Sequence, residues 1–292
     1  MPRPRVSIII PTRNREALIS RAIDSILSQT QQDFELIVVD DGSTDDTQEV
    51  LRAYGNRLTW LHIDPSGPSA ARNRGIAAAQ ADLIAFLDSD DSWMPRKLEC
   101  QLAYCSEHAD VMVSQTREIW IRNGVRVNAR AKHRMHSGWI YEQCLPLCIV
   151  SPSSVMIHRK VFDHVGLFDE SMLACEDYDL WLRIAPHYPI HLIDEDLIVK
   201  YGGHADQQSR CIPALDQLRI KAICKSLDSK DLSSVQRAAA VKELERKCRI
   251  YAKGCRKRDK ESEALDYESI ACNYSTNNND ERANHSEGPA PV

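Results

Sequence analysis

Acidic side chains follow two strongly apolar segments of this 292-residue chain. Asp88-Ser-Asp-Asp91 comes directly after Leu83–Leu87, and Asp40-Asp41 comes directly after Phe34–Val39. If both segments are parallel strands, these carboxylates meet at one edge of the sheet, where they repel one another unless a cation neutralises them. Mg²⁺ or Mn²⁺ binds carboxylate and phosphate oxygens together, so the Asp-x-Asp pair suits a metal–diphosphate complex. On their own, residues 88–91 fit a turn that caps a helix better than a metal site, and it is their position after the apolar segment Leu83–Leu87 that favours the metal.

A second acidic group, Glu176-Asp177-Tyr-Asp179, opens an apparent helix. A carboxylate within hydrogen-bond reach of a hydroxyl can take up its proton, which is the task of a general base. Acidic residues are also common at helix starts for electrostatic reasons alone. The neighbouring Tyr178 and Trp181 fit either the core or the wall of a substrate site.

The elements that must position these residues alternate between strand and helix. Helical patterns with apolar residues three and four apart separate the first strands. This alternation predicts an α/β fold with a Rossmann-like, mainly parallel sheet and helices on both faces, whose functional residues gather at the C-terminal strand ends. The predicted strands are Val6–Ile10, Phe34–Val39, Leu58–Ile63 and Leu83–Leu87, and the helices between them include Thr44–Ala53 and Ser69–Ala79.

The rest of the chain divides into a mixed middle and a helical end. Val111–Val127 predicts one or two strands that turn at Asn123-Gly124, and from Ala214 onward the pattern is purely helical. The last twenty residues, from Asn273, are polar and Asn-rich, which predicts a disordered tail. We therefore expect a domain over residues 1–210 with halves 1–110 and 111–210, a basic helical appendage over 211–272, and a tail over 273–292.

Composition excludes several classes of protein. With 43% hydrophobic and 27% charged residues the chain is typical of a globular protein, and no stretch approaches the roughly 20 apolar residues of a membrane helix. The N-terminal run Val6–Ile10 is too short for a signal peptide, and ten cysteines without a CxxC pair indicate reduced thiols. Together these features predict a cytoplasmic protein.

The charge is unevenly distributed. The net charge of −5 argues against a nucleic-acid partner, yet residues 217–260 contain fourteen Lys/Arg against five Asp/Glu. These basic helices fit a solvated face, or a surface that contacts an anionic membrane at its cytoplasmic side. Their apolar residues fit either packing on the preceding domain or a homodimer contact.

Two common nucleotide-binding motifs are absent. The sequence has no GxGxxG after the first predicted strand and no GxxxxGK[ST]. A standard dinucleotide-binding or P-loop protein is therefore excluded, and a ligand on this sheet must be held by other residues.

Five motifs in order resemble those of the family 2 glycosyltransferases. They are VSIIIPTRN (6–14), ELIVVDDGSTDDT (35–47), ARNRGI (71–76), IAFLDSDD (84–91) and the Glu-Asp pair before Trp181. The resemblance covers about residues 5–205 and stops before the basic helices. It implies a GT-A fold with a C-terminal helical appendage, and an inverting enzyme that uses a nucleotide-sugar donor.

The resemblance also implies roles for individual residues in donor binding. Pro11, Thr12 and Asn14 would shape the nucleoside pocket, and Asp41 would hydrogen-bond the base, uracil in UDP-sugars. The segment Gly67–Gly75, with Arg72 and Asn73, would flank the ribose and the diphosphate.

The remaining implied roles concern the metal and the reaction. Asp90 would hold Mn²⁺ or Mg²⁺, Asp88 would touch the ribose or a metal-bound water, and His204 would approach the metal or the diphosphate. Asp177 matches the general base that activates a hydroxyl of a saccharide or lipid-linked acceptor.

The sequence is also consistent with two other functions. A catalytically silent nucleotide-sugar-binding or scaffold protein would share the fold, although Asp41, Asp90 and Asp177 are all present. A nucleotidyltransferase would share the sheet and the metal, but it needs a Gly-rich basic loop near the first strand, and Pro11–Glu16 contains no glycine.

Overall fold

A nine-stranded sheet forms the centre of the computed structural model, which describes residues 3–128, 130–203 and 215–285. The strands are β1 Val6–Thr12, β2 Phe34–Asp41, β3 Thr59–Ile63, β4 Leu83–Phe86, β5 Ser92–Trp93, β6 Val113–Arg122, β7 Val125–Val127, β8 Met156–His158 and β9 Ile190–Gly202. The helices are α1 Ile19–Leu27, α2 Thr47–Ala53, α3 Pro68–Ala78, α4 Lys97–Glu107, α5 Tyr141–Cys144, α6 Lys160–Val165, α7 Glu176–Ile184, α8 Leu215–Asp228, α9 Ser234–Arg256 and α10 Glu261–His285.

The N-terminal half of the sheet is parallel, as the alternation of strands and helices predicts. Strands β3, β2, β1 and β4 lie side by side in that order. Thr12 at the end of β1 lies opposite Asp40 of β2, so the polar strand ends meet at one edge. The apolar residues of β1 are completely buried, because helices cover both faces.

Helix α3 sits very close to the sheet. A Cβ atom at Gly75 would collide with the side chain of Ile9 on β1, so only glycine allows this approach. The helix begins after Gly67, whose φ of 92° is a conformation that favours glycine. This packing directs the first turns of α3 towards the strand ends of β1 and β2.

The second half of the sheet is mixed. Strand β8 runs antiparallel to both β4 and β6, whereas β9 runs parallel to β6 and carries a register shift near Thr116 and Arg117. The predicted turn at Asn123-Gly124 joins β6 to β7, with both residues at positive φ. Strand β9 also pairs with β5, which follows the acidic segment 88–91 directly.

The C-terminal helices share one apolar core with the rest of the molecule. Ile223 of α8 and Leu244 of α9 are fully buried in the same cluster as Trp181 of α7. Lys225 of α8 pairs with Asp169 at 2.7 Å and with Asp179 at 3.1 Å. The apolar periodicity of this region is therefore explained by packing on the preceding domain.

Helix α10 extends further than the sequence predicts. The segment from Asn273, expected to be disordered, is helical as far as His285, and residues 286–292 lie outside the described part. Tyr274 packs against the main core, and its hydroxyl donates a hydrogen bond to Asp228 at 2.7 Å. Tyr274 lies in an otherwise polar segment, so composition alone does not reveal this contact. No helix in the described ranges is long and apolar enough to cross a membrane.

Candidate active site

A cleft of about 720 Å³ opens at the C-terminal ends of β1, β2 and β4. Strand ends and the first turn of α3 form its walls, as expected for an open parallel sheet. The structure brings seven of the ten residues singled out from the sequence into this lining: Pro11, Thr12, Asn14, Asp41, Arg72, Asp88 and Asp90.

The loop after β1 is held by the loop after β2. Asn14 has a left-handed backbone with φ of 51°, and its side-chain oxygen accepts a hydrogen bond from the Thr44 N–H at 2.8 Å. Its own N–H donates to Ser43 Oγ at 2.9 Å. Asn14 therefore shapes the rim of the cleft by joining two strand ends.

Asp41 lies at the floor of the cleft with 4% of its surface exposed. One carboxylate oxygen accepts the Ser66 N–H at 2.6 Å and the other accepts the Gly67 N–H at 3.0 Å. Each oxygen keeps a further lone pair that can accept from a ligand. Nearby, Thr12 Oγ1 is buried without a hydrogen-bond partner in the described structure, so this end of the cleft has unused polar capacity.

Arg72 links the two acidic groups of the sequence. Its guanidinium donates to Glu176 Oε1 at 2.7 Å and to Asp88 Oδ1 at 2.8 Å, and its side chain is 6% exposed. Burial acts against the charge, but Asp88 and Glu176 outweigh it and raise the pKa of Arg72. The cleft thus contains a permanent, buried cation next to the Asp-x-Asp segment.

Asn73 does not line the cleft. Its Nδ2 donates to the Phe168 carbonyl at 2.9 Å and to Glu170 Oε1 at 2.8 Å, and its Oδ1 accepts the Phe168 N–H at 3.1 Å. The amide is occupied in holding the 168–170 loop against α3. In this structure Asn73 stabilises the loop beside the site, whereas the resemblance implies a position beside the ribose and the diphosphate.

Asp88, Asp90 and Asp91 all line the cleft, but the Asp91 side chain is buried and hydrogen-bonded within the protein. Asp91 Oδ2 accepts from Ser153 Oγ at 2.7 Å and Oδ1 accepts from the Tyr201 N–H at 3.2 Å. Burial raises the pKa of Asp91, and the charges of Asp90 and Asp88 add to this shift while Lys200 opposes it. The Asp90 carbonyl accepts from Arg21 Nη2 at 2.5 Å, which fixes the loop.

Asp88 and Asp90 fit a magnesium or manganese ion that is completed by phosphate oxygens. These ions need only one or two protein carboxylates when they bind with a diphosphate. The described residues contain no group of three or more His, Cys, Asp or Glu side chains that could hold a metal without a ligand. His204, the third candidate, lies outside the described residues.

Asp177 is the acidic residue of helix α7 that stays available. Glu176 pairs with Arg72, and Asp179, 1% exposed, pairs with Arg183 at 2.7 Å and with Lys225. Asp177 is half-buried and forms no ion pair within the described chain; it accepts the Tyr178 N–H at 2.7 Å and the Cys148 thiol at 3.3 Å. It does not line the cleft itself.

Lys200 and Tyr201 line the cleft although the sequence did not single them out. Lys200 Nζ donates to Ser151 Oγ at 3.1 Å. Burial acts against its charge, but Glu118, Asp91, Asp88 and Asp177 raise the pKa of Lys200, which places Asp177 within electrostatic range of the cleft. Both residues lie near the end of β9, and the strand-end rule applied to this strand identifies them.

Residues 7–166 match the family model described as glycosyl transferase family 2. The chain belongs to this family. A glycosyltransferase from Rickettsia felis is 32% identical over 72% of the chain, and the chain spans only 36% of that relative's length. The Escherichia coli UDP-Glc:alpha-D-GlcNAc-diphosphoundecaprenol beta-1,3-glucosyltransferase WfgD is 34% identical over 61% of the chain and 69% of its own length.

Solved structures confirm the predicted GT-A fold. Staphylococcus aureus TarS 1–349, in complex with UDP-GlcNAc, superposes with a TM-score of 0.68 at 20% identity, covering 83% of this chain and 72% of TarS 1–349. The mannosyltransferase PcManGT from Pyrobaculum calidifontis, in complex with GDP-Man and Mn²⁺, superposes with a TM-score of 0.59 at 15% identity, covering 94% and 87%.

Proposed function

We propose that the protein is an inverting glycosyltransferase that moves a sugar from a UDP-sugar to a hydroxyl of a saccharide or lipid-linked acceptor. One observation carries the proposal: the ends of β1, β2 and β4 bring Thr12, Asp41 and Asp90 together in one cleft. Family membership supports the reaction class, and the cleft supports the nucleoside-diphosphate donor.

Donor binding uses the two ends of the cleft differently. The nucleoside lies at the Asp41 end, where the carboxylate has lone pairs left for a base N–H and Thr12 Oγ1 lacks a partner. The diphosphate lies towards Arg72 and Asp90. UDP is the nucleotide proposed because WfgD is a UDP-Glc-dependent glucosyltransferase and the TarS structure contains UDP-GlcNAc.

A divalent cation completes the diphosphate site. Asp90 would hold Mn²⁺ or Mg²⁺, with Asp88 beside it, and His204 remains a candidate ligand. A bound ion would offset the negative charge that the departing diphosphate gains. Arg72 contributes a fixed positive charge to the same region, because Glu176 and Asp88 hold it in place.

Asp177 acts as the general base. An acceptor hydroxyl is a poor nucleophile at neutral pH, so its proton must pass to a carboxylate as the oxygen attacks the anomeric carbon. Asp177 suits this task because its neighbours Glu176 and Asp179 form ion pairs with basic side chains, whereas Asp177 forms none with the residues that the structure describes. Attack opposite the leaving group inverts the anomeric centre and requires no protein nucleophile.

A panel of nucleotide sugars tests the proposed reaction. The purified chain is mixed with each donor, Mn²⁺ and an acceptor pool of saccharides and lipid-linked saccharides, and the release of nucleoside diphosphate is measured. We expect release from a UDP-sugar that disappears on addition of EDTA and in Asp90→Asn. Release from no donor, or release that survives both changes, contradicts the proposal.

The basic face of α9 supports a position at the cytoplasmic face of an anionic membrane. Lys242, Arg249, Lys253 and Lys257 are exposed at helical spacing and form no ion pair among the described residues. Arg246, in contrast, pairs with Glu243. Four such charges near an anionic surface contribute about 1 kcal/mol each, so together they can hold the enzyme close to a lipid-linked acceptor.

Vesicle binding tests this surface. Replacing the four unpaired cations with glutamine should weaken binding to vesicles containing phosphatidylglycerol by at least about tenfold. Replacing Arg52 and Arg96, which pair with acids in the N-terminal half, should have little effect. A wild-type protein that does not bind these vesicles contradicts the membrane role.

A further inference from the structure

A second cavity, of about 400 Å³, lies beside the hairpin of β6 and β7. Its walls carry one aromatic and several basic side chains: Trp120, Arg122, Arg130, Lys132 and His133. None of these residues has a role in the donor site described above. The combination of a flat ring with several cations is that of a site for a ligand with a negative charge and an apolar surface.

The second cavity borders the donor cleft. Trp120 of β6 lies directly opposite Lys200 of β9, and Lys200 Nζ is 5.8 Å from the centre of the Trp120 ring. Lys200 also lines the donor cleft, and the charge of Asp177 acts on it. A molecule bound on Trp120 therefore lies next to Lys200, at the edge of the donor cleft.

Three cations of this cavity lack an acidic partner in the part of the chain that the structure describes. Arg122, Arg130 and Lys132 form no ion pair with any residue in the described ranges. On the neighbouring hairpin surface, Arg126 pairs with Asp196 at 3.7 Å. Asp194 and Asp196 of β9 thus pair with Arg117 and Arg126 on the outer surface. Glu118, the acid beside Trp120, pairs with Lys200 at 3.9 Å and with none of the three cations.

The electrostatics of His133 agree with this charge excess. Burial lowers the pKa of His133, and the positive charges of Lys132, Arg130 and Lys200 lower it further, against the opposing effect of Glu118. Burial and the surrounding cations thus both disfavour the charged form of His133. A bound anion would relieve the repulsion among these groups.

The Trp120 ring is held in a fixed orientation. Its Nε1 donates to Glu118 Oε1 at 2.7 Å, and the His133 ring lies 5.2 Å from it. A partly buried indole with its polar atom satisfied presents an apolar face, on which the C–H groups of a sugar ring can pack. Because the ring is already ordered, little conformational entropy is lost when a ligand binds on it.

We propose that this cavity is the acceptor subsite and that it binds a saccharide carrying a negative charge, as a phosphate or a carboxylate, next to the sugar ring. The sugar packs on Trp120, and Arg130 and Lys132 contact the anionic group. The inference rests on the proposed function, because an acceptor must reach both the donor and Asp177. It adds the chemical class of the acceptor, which the donor cleft does not determine.

Binding of three probes to the full chain tests the subsite. The donor cleft is first saturated with UDP and Mn²⁺, and glucose 1-phosphate, glucuronic acid and glucose are then titrated while the indole N–H signal of Trp120 is followed by NMR. The signal is assigned with Trp120→Phe. We expect an anionic probe to shift it with at least about tenfold higher affinity than glucose. The tighter anionic probe identifies phosphate or carboxylate as the acceptor charge.

Charge variants locate the binding. The double variant Arg130→Gln, Lys132→Gln should weaken the anionic probe about tenfold and leave glucose unchanged, since it removes two unpaired cations. Arg126→Gln, on the same hairpin but paired with Asp196, should change affinity less than about twofold. Equal affinity for all three probes, or no shift of the Trp120 signal, overturns the subsite.

Failure of the subsite and failure of the proposed function give different results. UDP affinity is measured on the same samples before any probe is added. Absent UDP binding contradicts the proposed function itself. Normal UDP binding without a response at Trp120 contradicts the acceptor subsite alone.

Discussion

The bridge from Arg72 to Glu176 makes a quantitative prediction about stability. Arg72→Met removes the positive charge that lies 2.7 Å from Glu176, a carboxylate with 4% of its side chain exposed. Breaking a buried ion pair on one side costs about 3–5 kcal/mol, because the remaining charge has no partner. Asp88 loses the same partner, but it is 29% exposed and water compensates much of its loss.

The cost of Arg72→Met should depend on pH. Burial already raises the pKa of Glu176 above its ordinary value of 4.5, with Arg72 opposing the shift, so removing Arg72 raises it further. A carboxyl whose pKa is raised by folding costs no stability below its unfolded-state pKa, because it is protonated in both states. Stability is lost as the pH rises through the folded-state pKa and the buried carboxyl becomes charged. The difference between wild type and Arg72→Met should therefore widen between about pH 5 and about pH 8.

Urea denaturation of a double-mutant cycle measures this effect. Wild type, Arg72→Met, Glu176→Gln and the double variant are unfolded at both pH values. We expect the double variant to be at least about 2 kcal/mol more stable at pH 8 than the sum of the single changes implies. Additive effects, or an Arg72→Met cost that does not change with pH, would refute the assignment of a buried ion pair.

Three further outcomes follow from the packing and the site. Gly75→Ala should lower the free energy of unfolding in urea by about 1–3 kcal/mol, because the new Cβ would collide with Ile9. Gly254→Ala should raise it by up to about 1 kcal/mol, because only the flexible end of an arginine side chain lies near. Ending the chain after Cys272 should lower the free energy of unfolding by about 1–2 kcal/mol through loss of Tyr274, and ending it after Thr276 should lower it less. Equal melting temperatures of the two truncated chains would show that Tyr274 does not anchor α10. UDP titrated calorimetrically should bind at least about tenfold more weakly in EDTA than in Mn²⁺, and equal affinity would remove Asp90 from the metal site.

The donor side of the site was predictable because it depends on a local rule. Strand ends of a parallel sheet share one edge, so polar residues after β1, β2 and β4 must meet there. Thr12, Asp41 and Asp90 needed only the strand assignments to be placed in one cleft. The family resemblance then assigned each of them a role.

Contacts between distant segments could not be predicted in the same way. The sequence does not show that Arg72 reaches Glu176, or that Lys225 neutralises Asp179, because both pairs depend on how α7 packs. An asparagine side chain serves a ligand or a loop equally well, so the sequence does not show that Asn73 holds the 168–170 loop. Tertiary packing determines which partners these side chains contact.

The role of Asp177 is the claim on which the proposed mechanism depends most. Replacing it with asparagine keeps the acceptor for the Tyr178 N–H but removes the ability to take up a proton. A residue that merely begins helix α7 would tolerate this change, since asparagine is also favourable at helix starts. The substitution therefore separates a catalytic from a structural role.

The decisive measurement is kcat of Asp177→Asn together with its affinity for the donor. We predict a fall in kcat of about 10² to 10⁴ with nearly unchanged donor affinity, as expected when a general base is lost. A variant that keeps more than about a tenth of the wild-type kcat, or one that loses donor binding along with turnover, would contradict the assignment of Asp177 as the base.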